Sequence, residues 1–476
     1  MSGDTTAASP SRKETMHAAA TPTDAPLFTR LARWVASDDL VIPDAARAVA
    51  RLAILDTVGT TIGARTSPDF DQVAPFIDEV EPDGRSALIG RRGSASVSDA
   101  AFVNSFSAHL LDFDDSQGDM AGHPTAVIFP AVLAVAERFG GPIGDVVDAY
   151  AVGVEAAARL GRILNPDHYD LGWHPSATIG VFGAAAATAR LLGLDAERTQ
   201  ASLSLAAAFS SGIKASFGTS AKPLQVGRAA ASGVQATLLA RAGATGRENA
   251  FEHAQGYARV FERKDPAVMP VADAIEGLGV EWALLHPGII IKQYPCCGST
   301  HSAIESAAAL GPLACDEIEE VLIRLHPKRR GHVDRPNPAS ELDAKFSVQY
   351  TVGRALRSGT VTLTDFADAA HRSDEAVAML AKTVVADIDA PDTSVADRYV
   401  ASVTVRTTDG RTLQRTTPVA SGREPGRMLP AEKIIAKFDN CVQPHLDAAR
   451  SAALRDLILS DDARLARDLV RLTLPE

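Results

Sequence analysis

The sequence predicts a mainly α protein: a large all-helical domain with a smaller α+β lid domain inserted into it. Three observations carry that expectation. At 476 residues the chain exceeds the ~250–300 at which one hydrophobic core stops growing, so two structural units are expected. Apolar periodicity is helical from Leu27 to about Val280, turns to alternation after Pro287, and is helical again after Pro430. Aromatic residues are only 5 % of a chain that is 46 % hydrophobic, so small side chains must fill the interior and let helices approach closely.

Residues 1–26 are rich in Ser, Thr, Ala and Pro, lack an apolar run of signal-peptide length, and read as a disordered tail. The first part of the helical domain is expected over residues 27–282. There Pro142-Ile143-Gly144 leads to Asp145 as a helix N-cap, and Val147, Tyr150, Val154 and Ala158 recur on one helical face. Leu171 to Ala189 is the longest uncharged run; Trp173, His174 and Pro175 make it a buried helix with a polar approach, not a span of ~20 apolar residues. Asp195 begins a helix over Ala196 to Phe209 that is covered on most sides.

The lid is expected over residues 283–427. Val321, Ile323 and Leu325 alternate, as do Tyr399, Ala401, Val403 and Val405, and Asp409-Gly410 supplies a hairpin turn before Thr412. Ser347 to Leu356 and Leu363 to Leu380 read as helices, and Pro327 to Pro338 as a polar loop. Residues 428–476 complete the helical domain, and the cleft between the units is the expected site.

A net charge of −12 with scattered basic residues argues against the broad cationic face of a nucleic-acid binder. It also makes isolated lysines in apolar segments informative, because an acidic protein must gather cations to hold an anionic substrate. The four cysteines, Cys296, Cys297, Cys315 and Cys441, form neither a disulfide framework nor a C-x-x-C pair, so a reducing, cytoplasmic setting is expected, with no iron–sulfur cluster or structural zinc. No G-x-G-x-x-G, Walker lysine, G-x-S-x-G or H-E-x-x-H occurs, which removes support for nucleotide, serine-hydrolase and zincin chemistry. No cofactor, metal or membrane span is expected.

Four constellations can carry chemistry. The first is His109-Leu-Leu-Asp112-Phe-Asp114-Asp115-Ser116, then Gly122-His123-Pro124. Asp115 or Ser116 can cap a helix and His123 can close a turn; alternatively His123, oriented by an aspartate, moves a proton. The second is Gly172-Trp173-His174-Pro175-Ser176, where His174 is either a polar group at a helix entrance or a partner of His123. The third is Ala221-Lys222-Pro223, followed by Gly227-Arg228-Ala229-Ala230. A lysine opposes the field at a helix N-terminus, so it either snorkels to solvent or has an anionic partner. The fourth, Ile289-Ile-Ile-Lys292-Gln-Tyr294-Pro295-Cys296-Cys297-Gly298-Ser299-Thr300-His301, would carry the Lys292 charge from a buried strand towards the cleft. Its cysteines read as structural, and His301 as either a ligand or a plain helix residue. An Asp/His metal site from Asp112, Asp114, His123 and His174 lacks any i, i+4 ligand pair.

Taken in order, Leu-Asp-Phe-Asp-Asp, Gly-His-Pro, Trp-His-Pro, Lys-Pro-Leu…Gly-Arg-Ala-Ala and Lys-x-Tyr-Pro…His resemble the MmgE/PrpD family, as does Ala344-Lys-Phe-Ser-Val-Gln-Tyr350. That family includes 2-methylcitrate dehydratase, cis-aconitate decarboxylase and iminodisuccinate epimerase. The resemblance implies a helical domain with an α+β lid, a homodimer, and a cofactor-independent reaction. Its catalytic residues carry over to Asp112, His123, His174, Lys222 and Lys292, with Ser116, Cys297 and His301 at the substrate. Ser116 stands where cis-aconitate decarboxylases carry threonine, Cys297 where they carry histidine, and the Asp112 to His123 interval is one residue longer. The expected activity is therefore a lyase on a small polycarboxylate, dehydrating a 2-methylcitrate-like acid or decarboxylating a cis-aconitate-like one. An epimerase or isomerase of a dicarboxylate such as iminodisuccinate is the alternative, and a non-catalytic carboxylate binder the reading from another class. In the expected mechanism the lysines hold carboxylates and spread developing charge, one histidine moves the proton at carbon, and Asp112 orients the imidazole.

Overall fold

The computed structural model describes residues 25–67, 69–71, 75–76, 84–263, 265–394, 396–424, 426–460 and 463–474. All but the last two residues of the 1–26 tail lie outside them. Of the described residues 58 % are helical and 9 % strand, a mainly α protein, and among them no helix is long and apolar enough to cross a membrane.

Helices α1 (Leu27–Val35), α2 (Asp44–Gly63), α3 (Val97–Leu110), α4 (Pro124–Phe139), α5 (Ile143–Leu164), α6 (Gly180–Leu191), α7 (Ala196–Phe209) and α8 (Ala221–Arg241) share one core. The same core takes in residues from α12 (Ala431–Val442), α13 (Ala448–Leu459) and α14 (Ala466–Thr473). Small side chains fill it as expected: Ala184 to Ala187 on α6 and Ala229 to Ala231 on α8 are buried. The Asp195 side chain caps α7 by accepting from the Arg198 N–H at 2.8 Å. Asp145 does not cap α5; Pro142 precedes the first turn and Asp145 lies within it, because Ile143 already has a buried place in the core.

A second core, from Tyr294 to Val405, surrounds a four-stranded sheet of β1 (Ile318–Leu325), β2 (Thr383–Asp387), β3 (Ala401–Thr407) and β4 (Thr412–Thr417) in the order β2-β1-β3-β4. Strand β1 runs parallel to β2 and antiparallel to β3, and β3 to β4 is the hairpin through Asp409-Gly410. Helices α9 (His301–Ala308) and α10 (Val348–Ser358) pack with this sheet, and the Ser347 hydroxyl caps α10. The alternation at Tyr399 misplaces the start of β3: Tyr399 ends a 3-10 turn and pairing begins at Ala401.

Two further expectations are corrected. Pro327 to Pro338 is not all loop: Pro327–Val333 is a short helix, with His326 accepting from the Lys328 N–H and Pro327 fixing the first turn. Leu363 to Leu380 is not one helix. It breaks into two 3-10 turns and α11 (Asp374–Ala381), because Asp365 bonds back to Thr362, Asp368 and Ala369 adopt positive φ, and Ser373 caps α11.

Candidate active site

Helix α3 ends at Leu110, and two residues later Asp112 takes a φ of +51°, a left-handed conformation that aspartate and asparagine reach more readily than other side chains. There the Asp112 carbonyl and its Oδ1 face the same way, and Lys292 donates to both, at 2.7 and 2.9 Å. Lys292 is positioned by Ile289–Ile290, which pair antiparallel with Ser116–Gln117. Lys222, in the first turn of α8, donates to the same Oδ1 at 2.5 Å. Its ammonium sits 5.1 and 5.2 Å from the ring centres of Phe217 and Phe346. The anionic partner demanded by a lysine at a helix N-terminus is thus Asp112. Burial opposes charge on Asp112, but Lys222 and Lys292 override it and hold the carboxyl well below the usual range. Burial likewise opposes charge on Lys292, and Asp112 reverses that effect so that its pKa is raised.

His123 precedes Pro124 at the start of α4, and its backbone N–H donates to the Ser176 hydroxyl at 3.1 Å. Glycine at 122 permits this approach, since a Cβ there would lie 2.8 Å from the Ser176 nitrogen. The His123 Nδ1 lies 2.6 Å from the Asp115 carbonyl, which can only accept, so Nδ1 carries the proton and Nε2 keeps its lone pair. His174 reaches the same state by another route. Its Nδ1 is 3.0 Å from Gln225 Oε1, and that oxygen also accepts from the Ile213 N–H while the Gln225 amide donates to the Ile213 carbonyl. The backbone fixes the amide orientation, the amide fixes the tautomer, and the His174 Nε2 is buried without a partner. Burial lowers the pKa of both imidazoles, with Lys222 and other positive neighbours adding to it for His174. Both are neutral, with a free lone pair on Nε2.

The expected Asp112–histidine pairing is corrected. The carboxylate hydrogen-bonded to imidazole is Asp114, 2.8 Å from His109 Nδ1 and 3.3 Å from His123 Nδ1. His109 is fully buried with its ring 4.5 Å from that of His123 and 6.1 Å from that of His174. Asp115 plays the structural part that its position allowed: it accepts from the Thr125 N–H and hydroxyl in the first turn of α4, and burial raises its pKa to about 8.

These groups border a cavity of about 510 Å³. Asp112, Ser116, His123, His174, Lys222, Lys292 and Cys297 all line it. His301 does not; it is buried behind Cys296, with Nε2 3.3 Å from the Cys296 carbonyl and its ring edge-on to Tyr294. The sequence reading missed Tyr169, Arg329, Tyr399 and Arg423, which also line the cavity. The Lys328-Arg329-Arg330 run in an acidic chain was the available signal; nothing local marks Arg423 or Tyr399. His109, Asp112 and His123 could reach one cation, but it would compete with two ammonium groups already bonded to Asp112.

The MmgE/PrpD N-terminal domain matches residues 29–269 and the MmgE/PrpD C-terminal domain residues 294–462. The cis-aconitate decarboxylase of Mus musculus is 28 % identical over 331 residues, 66 % of this chain and 66 % of its own length, so the chain matches just under two thirds of that relative. The cis-aconitate decarboxylase of Aspergillus terreus is 26 % identical over 453 residues, 90 % of this chain and 91 % of its own. The cis-aconitate decarboxylase-like protein oryM of Aspergillus oryzae is 26 % identical over 440 residues, 86 % and 89 % respectively.

Proposed function

This chain belongs to the MmgE/PrpD family, and on that premise we propose that it is a lyase that decarboxylates a small, cis-aconitate-like polycarboxylic acid. The observation that carries the reading is a pair of ammonium groups, Lys222 and Lys292, on one buried carboxylate oxygen, beside two imidazoles whose Nε2 atoms are unprotonated. In this reading the lysines hold a substrate carboxylate that conjugates with the reacting carbon. The carbon–carbon bond to a second carboxylate breaks, carbon dioxide leaves, and the electron pair spreads onto the held carboxylate as a dienolate. His123 or His174, having taken a proton when the anionic substrate entered, returns it to carbon. The fixed ammonium groups stabilise charge where it develops, which is the largest kind of term in such reactions. No step calls for a cofactor. The homodimer expected from the family is carried forward as part of this proposal.

Dehydration of a 2-methylcitrate-like acid is the second reading. Both resting tautomers favour it, since each Nε2 is ready to accept a C–H proton, and Ser116 and Cys297 differ from the decarboxylase pattern. Proton NMR in D2O with cis-aconitate, 2-methylcitrate, citrate and iminodisuccinate supplied separately tests both. Itaconate-like vinylic signals with release of carbon dioxide support decarboxylation, and a new alkene from 2-methylcitrate supports dehydration. Deuterium entering carbon without net loss would point instead to the epimerase. His123→Gln and His174→Gln are expected to keep binding and lose about 10²–10⁴ in turnover; unchanged turnover in both variants would sink the acid–base proposal.

A further inference from the structure

A second stretch of the cavity wall is cationic and takes no part in the steps above. Arg329 stands on the Pro327–Val333 helix, which packs against Gly298–Thr300 and against Asp397–Tyr399. The Arg329 and Arg423 guanidinium carbons lie 4.2 and 4.5 Å from the centre of the Tyr399 ring. Arg423 is only 8 % exposed, yet its Nε and Nη1 have no hydrogen-bond partner, and Arg329 Nε is buried without one. Among the described residues neither arginine is ion-paired, whereas the two other arginines of the cavity are: Arg162 with Asp119 at 2.8 Å and Arg398 with Asp392 at 2.5 Å. A buried guanidinium with open donors is held at a loss unless a ligand satisfies it. Gly298 is what admits Arg423, since a Cβ at 298 would lie 2.4 Å from its Nη1.

We propose that Arg329 and Arg423, bridged by Tyr399, form a second carboxylate subsite that fixes the remote end of a tricarboxylate whose reacting end lies at Lys222 and Lys292. The reacting end rests on the lyase reading above; the subsite itself rests on the open guanidinium donors. A guanidinium fork matches a carboxylate with two parallel hydrogen bonds, which an ammonium cannot do. Cys297 lines the same cavity as Lys292 and Arg329. Charge fixes the class of ligand. Six cationic side chains line the cavity, Lys222, Lys292, Arg329 and Arg423 among them, against three carboxylates, Asp112, Asp119 and Asp170, and a ligand with three carboxylates brings that excess of three to zero.

Calorimetric titration of citrate and of succinate into the wild type, Arg423→Gln, Arg329→Gln and Gly298→Ala tests this. The wild type should bind citrate at least about 10-fold more tightly than succinate. Loss of one guanidinium should weaken citrate about 10- to 100-fold, the worth of hydrogen bonds to a charged group, and bring the two ligands within about threefold of each other. A citrate-to-succinate ratio unchanged in Arg423→Gln and Arg329→Gln would overturn the subsite. If Arg423→Gln does not fold, Gly298→Ala decides, because its added methyl meets only the mobile end of the Arg423 side chain. Turnover is read separately. An active wild type with an unaltered ratio in the variants removes the subsite alone; an inactive wild type whose variants lose the citrate preference removes the lyase reading and leaves the subsite standing.

Discussion

Replacing Lys222 by Met tests the centre of the mechanism, because the substitution keeps most of the side chain's apolar stem and deletes its charge and its donors. The ammonium is buried between Phe217 and Phe346 and bonded to Asp112 at 2.5 Å. Two unit charges ~4 Å apart at an effective dielectric constant of about 20 attract by ~4 kcal/mol, and a single preorganised oxyanion donor is worth ~2.7–4 kcal/mol. Asp112 shares the lysine and screens it, so the lower figure applies, a loss of about 10²-fold in kcat/KM. Folding should suffer less. Asp112 keeps its bond to Lys292 at 2.9 Å, and the thioether sits well between two rings, so the stability loss is about 1–3 kcal/mol. Initial rates by NMR with the best substrate of the panel, alongside a thermal melt, measure both quantities. A variant that melts within a few degrees of the wild type and retains kcat/KM within about threefold would refute the assignment of Lys222 as an electrophile.

Gln225→Glu places a carboxylate against the His174 Nδ1–H, favours the imidazolium, and should move the histidine limb of the kcat profile, alkaline for a decarboxylation and acid for a dehydration, upward by about one pH unit or more; an unmoved limb would remove His174 from proton transfer. His109 has its pKa lowered by burial to about 3, against ~6.5 in the unfolded chain. The unfolded state therefore takes the proton first, and stability is lost as pH falls from ~6.5 towards 3. His109→Gln, which still donates to Asp114, should flatten that decline in melts between about pH 7 and 4, and an unaltered slope would assign the loss to other groups. Gly122→Ala drives a Cβ to within 2.8 Å of the Ser176 backbone nitrogen and displaces the His123 loop. Turnover should drop about 10²-fold; full activity would show that the exact seat of His123 is immaterial.

What was legible in the sequence was local. The Asp195 cap, the Asp409-Gly410 hairpin and the alternation of β1 each depend on neighbours a few residues away, and the structure reproduces them. The misread elements carried local signals too, caps and turns that the apolar spacing masked. Leu363 to Leu380 has helical spacing, but Asp365 and Ser373 cap separate turns within it. Pro327 starts a helix instead of a loop because His326 stands before it as a cap. In the site, residue types and order pointed to Asp112, His123, His174, Lys222 and Lys292, and those five line one cavity. Their pairing was not readable. That Asp112 would serve the lysines and Asp114 the imidazoles depends on the +51° turn at Asp112, which no spacing rule announces. Arg423 and Tyr399 reach the cavity from segments far along the chain, where only the tertiary fold brings them beside Gly298.

The two histidines also decide how the competing reactions are to be told apart. His123 and His174, which both line the cavity, each spend Nδ1–H on a fixed acceptor and keep a bare Nε2. Dehydration and epimerisation begin by removing a proton from carbon, so the resting tautomers can start them at once, and the rate falls when acid protonates Nε2. Decarboxylation ends by giving a proton to carbon, which a bare Nε2 cannot do until it has been charged. A polycarboxylate brings that charge within reach: its negative groups, entering beside the imidazoles, raise their pKa and draw a proton in from solvent. The rate of a decarboxylation must then fall as pH rises through the imidazolium pKa of the complex, while that of a dehydration is limited on the acid side by the same group. The direction of the histidine limb in the kcat profile thus reports which bond breaks, independently of product identity. An alkaline fall that is absent from His123→Gln or His174→Gln names the proton donor, and a purely acid fall would leave the decarboxylase reading without its acid.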